Sequence, residues 1–174
     1  MKFKCRNIFA IVFSLIVFLS CSTVKNVDVQ NFKEVSLNKV IDGDVIKVSV
    51  DGKLENVRLL LTDAPKIKGK HPFSNEAKQF LKARLSNASH IYLEEYENQR
   101  DSNGRILAYV WYDDNGKIKM LNEEIINEGL ARLTHSSSDY KYLESLSLSQ
   151  EKAKARGSNI WSIDGYVSES GFKR

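Results

Sequence analysis

The chain has 174 residues, 42% of them hydrophobic and 28% charged, a balance typical of a single globular domain with its own packed core. Its formal net charge is +4, but the first 20 residues hold three basic and no acidic side chains, so 23 basic and 22 acidic residues remain beyond them. Because the rest of the chain is nearly neutral, its overall charge gives no reason to expect nucleic-acid binding. Cysteine occurs only at positions 5 and 21, which excludes disulfides and thiolate metal sites from the rest of the chain.

The N-terminus predicts an export signal. Basic residues precede an apolar run at 8–19, which is short for a permanent membrane helix and fits a signal peptide over residues 1–20. The run ends in Ser-Cys, which resembles the lipobox of bacterial lipoproteins and implies that Cys21 carries a lipid anchoring the protein to a membrane outside the cytoplasm. An ordinary signal peptide, which would make the protein secreted, is the alternative. Residues 21–31 are polar and predict a tether.

The predicted folded domain covers residues 32–164, followed by a C-terminal tail over residues 165–174. It starts with three strands, separated by Asp-Gly turn signals, at 34–40, 44–50 and 54–61. A helix follows, with Ser74 as its N-cap and apolar residues at helical spacing after it. Two more strands are predicted at 91–96 and 106–112, and two more helices at 121–130 and 140–155.

This order of elements favours an α+β domain over a parallel sheet. Five strands, with one helix after the third strand and two helices at the end, are typical of a small closed barrel. The oligonucleotide-binding (OB) fold is the five-stranded candidate. Periodicity alone does not distinguish this barrel from other α+β folds.

Three aspartates stand where the predicted strands end. Asp42 and Asp44 flank Gly43 between the first two strands, and Asp63 follows the third. If these strands are neighbours, the carboxylates and a backbone carbonyl form an oxygen-only site, which suits Ca²⁺ or Mg²⁺ and not zinc. Each aspartate alone is equally explained as a turn or strand-exit residue.

Two arginines stand next to apolar strands. Arg58 begins the leucine run of the third strand, and Arg105 directly precedes the fifth. Two guanidinium groups that converge on one phosphate can each bind it in a bidentate manner. An arginine at a strand end is also commonly solvated, or paired with a nearby carboxylate, so neither arginine decides the question by itself.

Five segments together resemble the staphylococcal nuclease-like, or thermonuclease, family: VIDGDVIKV, VRLLLTDAPK, DSNGRILAYVW, LNEEIINEGLARL and NIWS. They follow the family's order and approximate spacing over about residues 35 to 162. The resemblance implies an OB-fold barrel with three helices that hydrolyses phosphodiester bonds of DNA and RNA with Ca²⁺.

By this resemblance, Asp44 and Asp63 are expected to be the metal carboxylates. Ala64 is expected to contribute its backbone carbonyl, which tolerates the absence of the threonine hydroxyl often found there. Asp42 is expected next to these ligands rather than on the ion itself.

The same resemblance assigns Arg58 and Arg105 to the substrate phosphate. Asp101 opens the turn that carries Arg105 and is expected to fix that turn. Metal and arginines together would stabilise the charge that builds on the phosphate oxygens during hydrolysis.

Lys66 departs from the family pattern, which has glutamate after Asp-x-Pro as the general base. A lysine ammonium has no lone pair to accept a proton unless its pKa falls by several units, and nearby carboxylates favour the opposite shift. Lys66 is therefore not expected to be the base.

This departure leaves three interpretations open. A nuclease that keeps the metal and both arginines stays active, slower by roughly 10²- to 10⁴-fold, with Asp42 or the ion supplying the base function. Alternatively, Lys66, Lys68 and Lys70 form a phosphate-binding patch in a module that binds nucleic acid without cutting it. In the third interpretation, the tethered barrel binds some other partner. The first interpretation is favoured, because a protein that served only as a scaffold would not need both the metal carboxylates and the two arginines.

A second departure follows Gly129-Leu130-Ala131, where the family tends to have tyrosines, one of which contacts phosphate. This chain has His135 in a serine-rich run instead, which either donates to a phosphate or is a solvated loop residue. No feature of the sequence indicates an oligomer, so we expect a monomer.

Overall fold

The computed structural model describes residues 27–134 and 138–173. The predicted signal peptide, Cys21, most of the predicted tether and His135 lie outside these ranges, so those interpretations stay predictions. Within the described residues, no helix is both long enough and apolar enough to cross a membrane.

Strands dominate the first two thirds of the described chain, and helices follow. The strands are β1 (Lys33–Asp42), β2 (Val45–Val50), β3 (Lys53–Leu59), β4 (Thr62–Asp63), β5 (Ile91–Arg100), β6 (Ile106–Asp114), β7 (Lys117–Met120), β8 (Arg132–Leu133), β9 (Val167–Ser168) and β10 (Gly171–Phe172). The helices are α1 (Ser74–Ser86), α2 (Leu121–Asn127) and α3 (Leu143–Ala155).

Five of these strands form a closed barrel. They pair antiparallel in the order β3-β2-β1-β5-β6, and β6 then pairs in parallel with β3, which closes the sheet. The closing register sets Val57 opposite Ile106 and Arg58 opposite Leu107. This mixed five-stranded barrel with three helices confirms the predicted α+β, OB-type fold.

Period-two alternation fills the barrel with apolar side chains. Residues two apart on β2 and β3 point inward and are fully buried: Ile46, Val48, Val57 and Leu59. Helix α1 packs against β1 and buries Ala77, Leu81 and Leu85 at helical spacing. Removal of this apolar surface from water is the main driving force for the fold.

Several element boundaries differ from the sequence prediction for local reasons. Helix α1 begins at Ser74, not after it, and the preceding Phe73 has a φ of 63°. The Ser74 hydroxyl donates to the His71 carbonyl at 2.7 Å, so Ser74 is not the N-cap. The third strand ends at Leu59 rather than at 61, because Leu61 adopts a φ of 59° and turns the chain.

Strands β1 (Lys33–Asp42) and β5 (Ile91–Arg100) are longer than predicted, and further differences concern short elements and helix ends. The predicted turn at 113–116 joins β6 to β7, and four residues carry too little periodicity to predict β7 as a strand. Helix α2 ends at Asn127 and helix α3 begins at Leu143, each three residues inside the predicted end.

Residues 166–172, predicted as part of a tail, form the β9–β10 hairpin and pack on the domain. The Tyr166 hydroxyl donates to the Pro72 carbonyl at 3.0 Å. The rings of Tyr166 and Phe172 lie near the ring of His71, with centroids 6.5 and 6.4 Å away. The hairpin therefore supports the loop that follows β4.

Gly43 allows helix α1 and the β4 exit to approach the β1–β2 connection. A methyl group at position 43 would lie 2.6 Å from Ala77 Cβ and 2.8 Å from Ala64 Cβ, closer than real carbon atoms approach. The sequence predicts Gly43 as part of an Asp-Gly turn, whereas close packing against Ala64 and Ala77 is what requires a glycine here.

We expect Gly43→Ala to lower the free energy of unfolding by about 1–3 kcal/mol, because the added methyl overpacks a closed contact. Urea denaturation measures this loss. Ala77→Gly removes one of the two clashing methyl groups, so the double variant should be more stable than the sum of the single changes predicts. Strict additivity would show that close approach is not the reason for glycine.

Candidate active site

Asp44 is a fully buried charge at the entrance to β2. Its Oδ2 lies 3.6 Å from Arg58 Nη2 and forms an ion pair with the ammonium of Lys66. The backbone N–H of Ala64 approaches the same oxygen at 3.5 Å. The other oxygen, Oδ1, is buried and has no hydrogen-bond partner among the described residues. A buried carboxylate needs such cationic partners to remain charged.

Asp63 reaches the same place from β4. Leu61 turns the chain after β3, and the short β4 then pairs with β8, which sets Asp63 opposite Arg132. One oxygen of Asp63 lies 3.6 Å from Arg58 Nη2 and 3.5 Å from Lys66 Nζ. The other accepts a hydrogen bond from Arg132 Nε at 2.9 Å. The structure thus brings Asp44, Asp63 and Arg58 together.

Lys66 lies between the two carboxylates and contacts both. Its Nζ pairs with Oδ2 of Asp44 and with Oδ1 of Asp63, the same two oxygens that face Arg58. Among residues 27–134 and 138–173, the two carboxylates therefore have three cationic partners within 4.0 Å: Arg58, Lys66 and Arg132.

Arg132 was not among the residues singled out from the sequence. It follows directly on the Gly129-Leu130-Ala131 segment, and only the pairing of β4 with β8 brings it to Asp63. Its Nη1 also donates to the carbonyl of Glu169, just before β10, at 3.1 Å. The only signal in the sequence was a basic residue at the end of a motif, which does not reveal its partner.

Arg105 lies directly before β6, two residues before Leu107, which pairs with Arg58. Arg105 is therefore two residues along the chain from the β6 position that lies beside Arg58. This separation is one strand repeat, or roughly 7 Å, along the strand. Arg105 is thus near Arg58 without joining its ion pairs.

Asp101 holds the guanidinium of Arg105 in place. Arg105 Nε and Nη2 lie 2.7 and 2.6 Å from Asp101 Oδ2, and the Arg105 backbone N–H donates to Oδ1 at 3.0 Å. Burial acts to raise the pKa of Asp101, but these hydrogen bonds and the charge of Arg105 hold it below its ordinary value. The predicted turn-fixing contact is present.

Asp42 and Ala64 have structural contacts at the edge of this cluster. Asp42 Oδ1 accepts the N–H groups of Gly43 at 3.0 Å and of Ile67 at 3.4 Å, so it ties the β1 end to the loop that carries Lys66. Ala64 is fully buried against Gly43. Their predicted roles beside the ion and on it stay predictions.

Lys68 and Lys70 lie on the same loop as Lys66 but differ in environment. Both are exposed, and neither forms an ion pair with Asp44 or Asp63 in the part of the chain that the structure describes. The predicted three-lysine patch therefore divides into one lysine bound to the carboxylates and two that face solvent.

The oxygen donors of the cluster are of the type that Ca²⁺ binds. No group of three or more His, Cys, Asp or Glu side chains able to hold a metal occurs in residues 27–134 and 138–173. Two carboxylates nevertheless face one position, and Asp44 Oδ1 is a buried oxygen with no partner among the described residues. Carboxylate oxygens are suitable ligands for a hard divalent cation. In the structure, the Lys66 ammonium occupies the position between Asp44 Oδ2 and Asp63 Oδ1.

A cleft of about 250 Å³ opens beside Arg58. Leu107, Thr134 and Tyr140 contribute to its walls together with the buried chain from Leu59 to Thr62. The cleft therefore combines a cation, apolar surface and an aromatic ring, which suits a ligand with a phosphate and a planar ring.

Comparisons with known proteins agree with this fold. The staphylococcal nuclease homologue family matches residues 56–163, more than half of the chain. The thermonuclease of Staphylococcus hyicus is 38% identical over 143 residues, which cover 80% of this chain and 80% of that protein.

Two relatives from Bacillus subtilis (strain 168) are longer than the matched region. The endonuclease YncB is 38% identical over 144 residues, covering 79% of this chain and 66% of the relative. The SPbeta prophage-derived endonuclease YokF is 35% identical over 145 residues, covering 80% of this chain and 47% of the relative. The match thus spans about half of YokF and about two thirds of YncB. From the family match and the barrel geometry together, the chain belongs to the staphylococcal nuclease family.

Proposed function

We propose that the domain is a nuclease that hydrolyses phosphodiester bonds of DNA or RNA. The observation that carries this proposal is the convergence of Arg58 with Asp44 and Asp63 beside an open cleft. The relatives named endonuclease and thermonuclease support the same class of activity.

The arginines supply the electrostatic part of the proposed reaction. Arg58 is a quarter exposed, and Asp101 holds the guanidinium of Arg105 two residues before the β6 position that pairs with Arg58. Each guanidinium presents a planar fork that matches phosphate oxygens. As the attacking water adds to phosphorus, charge grows on these oxygens, and fixed donors stabilise it most where they need no reorientation.

Calcium dependence is part of the proposal. Asp44 and Asp63 would hold the ion, with the Ala64 carbonyl as a further ligand. When bound, Ca²⁺ supplies positive charge to the phosphate and orients it for attack. The unpartnered Asp44 Oδ1 supports this assignment, since a buried carboxylate oxygen normally has a partner.

The proposed activity is slow for its class because no suitable general base faces the cleft among the described residues. Lys66 is an ammonium paired with two carboxylates, and Asp42 accepts two backbone hydrogen bonds at the loop base. General-base assistance contributes roughly 10²- to 10⁴-fold, so a loss of that order is expected.

The proposed location is outside the cytoplasm, on a membrane through a lipid on Cys21. The apolar run that ends in Ser-Cys supports this location. Secretion of the free protein follows if Cys21 is not modified. The proposed form is a monomer.

A nucleic-acid-binding module that does not cut is the second candidate. The observation that favours it is the excess of cations, since three basic side chains surround two carboxylates and Lys68 and Lys70 extend the basic surface. A net positive cleft attracts phosphate without any hydrolytic group.

Cleavage separates the two candidates. Plasmid DNA incubated with the purified protein in millimolar Ca²⁺ should be fragmented on a gel, and excess chelator should stop the reaction. We expect Arg58→Ala to reduce the rate by about 10²-fold or more, because it removes a donor to the developing charge. Arg156→Ala is the matched control, since Arg156 contacts Asn127 and Ser158 rather than the carboxylates, and it should cut at the wild-type rate. Binding of DNA without any fragmentation would favour the second candidate.

The two exposed loop lysines should contribute to substrate affinity in either case. We expect Lys68→Met with Lys70→Met to weaken binding of a single-stranded oligonucleotide in chelator. The negative slope of log K against log salt should become shallower by about 0.7 for each lysine that neutralises a phosphate of the single strand. Fluorescence anisotropy at several salt concentrations measures this slope. Lys82→Met with Lys152→Met removes the same charge from exposed helical positions and should leave the slope unchanged; equal losses in both variants would mean that the loop is not a phosphate contact.

A further inference from the structure

We infer that Lys66 is a tethered cation that competes with the divalent ion for Asp44 and Asp63 and sets the ion concentration at which the site fills. This inference rests on the proposed function, because it concerns the same carboxylates. It assigns control of cation binding to a residue at the position where the family pattern has glutamate as the general base.

The contacts of Lys66 carry the inference. The ammonium pairs with Oδ2 of Asp44 and lies 3.5 Å from Oδ1 of Asp63, so it bridges the two carboxylates that would ligate the ion. A second positive charge brought between the same oxygens would lie beside the ammonium, and like charges at that separation repel strongly in a partly buried site. Lysine and ion therefore exclude each other.

The backbone around Lys66 holds the ammonium in reach. Pro65 is buried and fixes the chain directly before Lys66, which is in an extended conformation at φ −88° and ψ 132°. The Lys66 carbonyl accepts the N–H of Gly69 at 3.2 Å, and Asp42 accepts the N–H of Ile67 at 3.4 Å. The backbone of Lys66 is thus held on both sides along the chain, and only its four-carbon side chain is free to rotate.

Charge neutralisation explains why the ammonium stays there in the absence of the ion. Asp44 is fully buried, and Arg58 approaches its Oδ2 only at 3.6 Å. Asp63 shares that arginine and has Arg132 on its other oxygen. Lys66 adds the closest cation to Asp44 and so stabilises a carboxylate that burial would otherwise destabilise.

Lys66 is also the cation that can leave. Its side chain is 38% exposed, compared with 25% for Arg58 and 13% for Arg132. Rotation about the lysine stem moves the charge into solvent without moving the backbone. Arg58 and Arg132 remain in contact with the carboxylates when Lys66 leaves, and the position between Asp44 and Asp63 becomes open to a divalent ion.

We expect Lys66→Met to tighten Ca²⁺ binding by about tenfold or more, because methionine keeps the length of the stem and removes the competing charge. Isothermal calorimetry of Ca²⁺ with the purified protein measures the affinity directly, independently of cleavage. Lys82→Met removes one charge from an exposed position of α1, away from the carboxylate contacts, and should bind Ca²⁺ as the wild type does. Asp44→Asn in the Lys66→Met background should abolish the gain.

A second measurement guards against a folding defect. The thermal midpoint of Lys66→Met should rise more steeply with added Ca²⁺ than that of the wild type, since a ligand that binds the native state stabilises it by mass action. Lys66→Gln provides an independent neutral variant for the same comparison. Equal Ca²⁺ affinity in the wild type, Lys66→Met and Lys66→Gln would overturn the inference, and so would failure of all three to bind the ion.

These outcomes are distinct from those that test the nuclease proposal. If Lys66→Met binds Ca²⁺ more tightly but neither it nor the wild type cuts DNA, the competing cation is established and the nuclease proposal fails. If the wild type cuts DNA while Lys66→Met shows no gain in affinity, the nuclease proposal stands and the role assigned to Lys66 is wrong.

Discussion

A single buried charge organises the functional end of this barrel. Asp44 has no exposed surface, and its carboxylate is stable there only because cationic side chains from two other segments reach it. Arg58 comes from β3, and Lys66 from the loop after β4. The requirement to neutralise this carboxylate therefore links the β1–β2 connection to the strand and loop that face it.

Two backbone features bring the remaining groups to that charge. The positive φ of Leu61 redirects the chain after the third barrel strand, at a conformational cost that the surrounding packing must offset. The chain then pairs with β8, so Asp63 meets Arg132. At Gly43 the absence of a side chain lets Ala64 and Ala77 close on the same point. Tight packing here fixes the carboxylates relative to each other, which any cation or phosphate between them would require.

Lys66 connects the electrostatics of the free protein to its chemistry. The resident ammonium lies against both carboxylates and neutralises part of their charge. The same contact stands in the way of the ion that the proposed reaction uses. Such a protein would keep Lys66 paired with the carboxylates at low Ca²⁺ and act where Ca²⁺ is abundant. Calcium is abundant outside cells, which is consistent with the proposed export.

The sequence by itself determined the barrel through five ordered motifs that agree with the order of strands and helices. By the same family resemblance it predicted that Asp44, Asp63 and Arg58 share one site, and the structure places Arg58 within 3.6 Å of both carboxylates. The sequence could not show that Arg132 completes that site, since two-residue strands such as β4 and β8 carry no periodic signal. Nor could it show that Lys66 turns back onto the carboxylates instead of extending a basic patch with Lys68 and Lys70. The position of the ammonium depends on the direction of the flexible Lys66 side chain and on the buried charge of Asp44. Both are determined only when distant segments of the chain fold together.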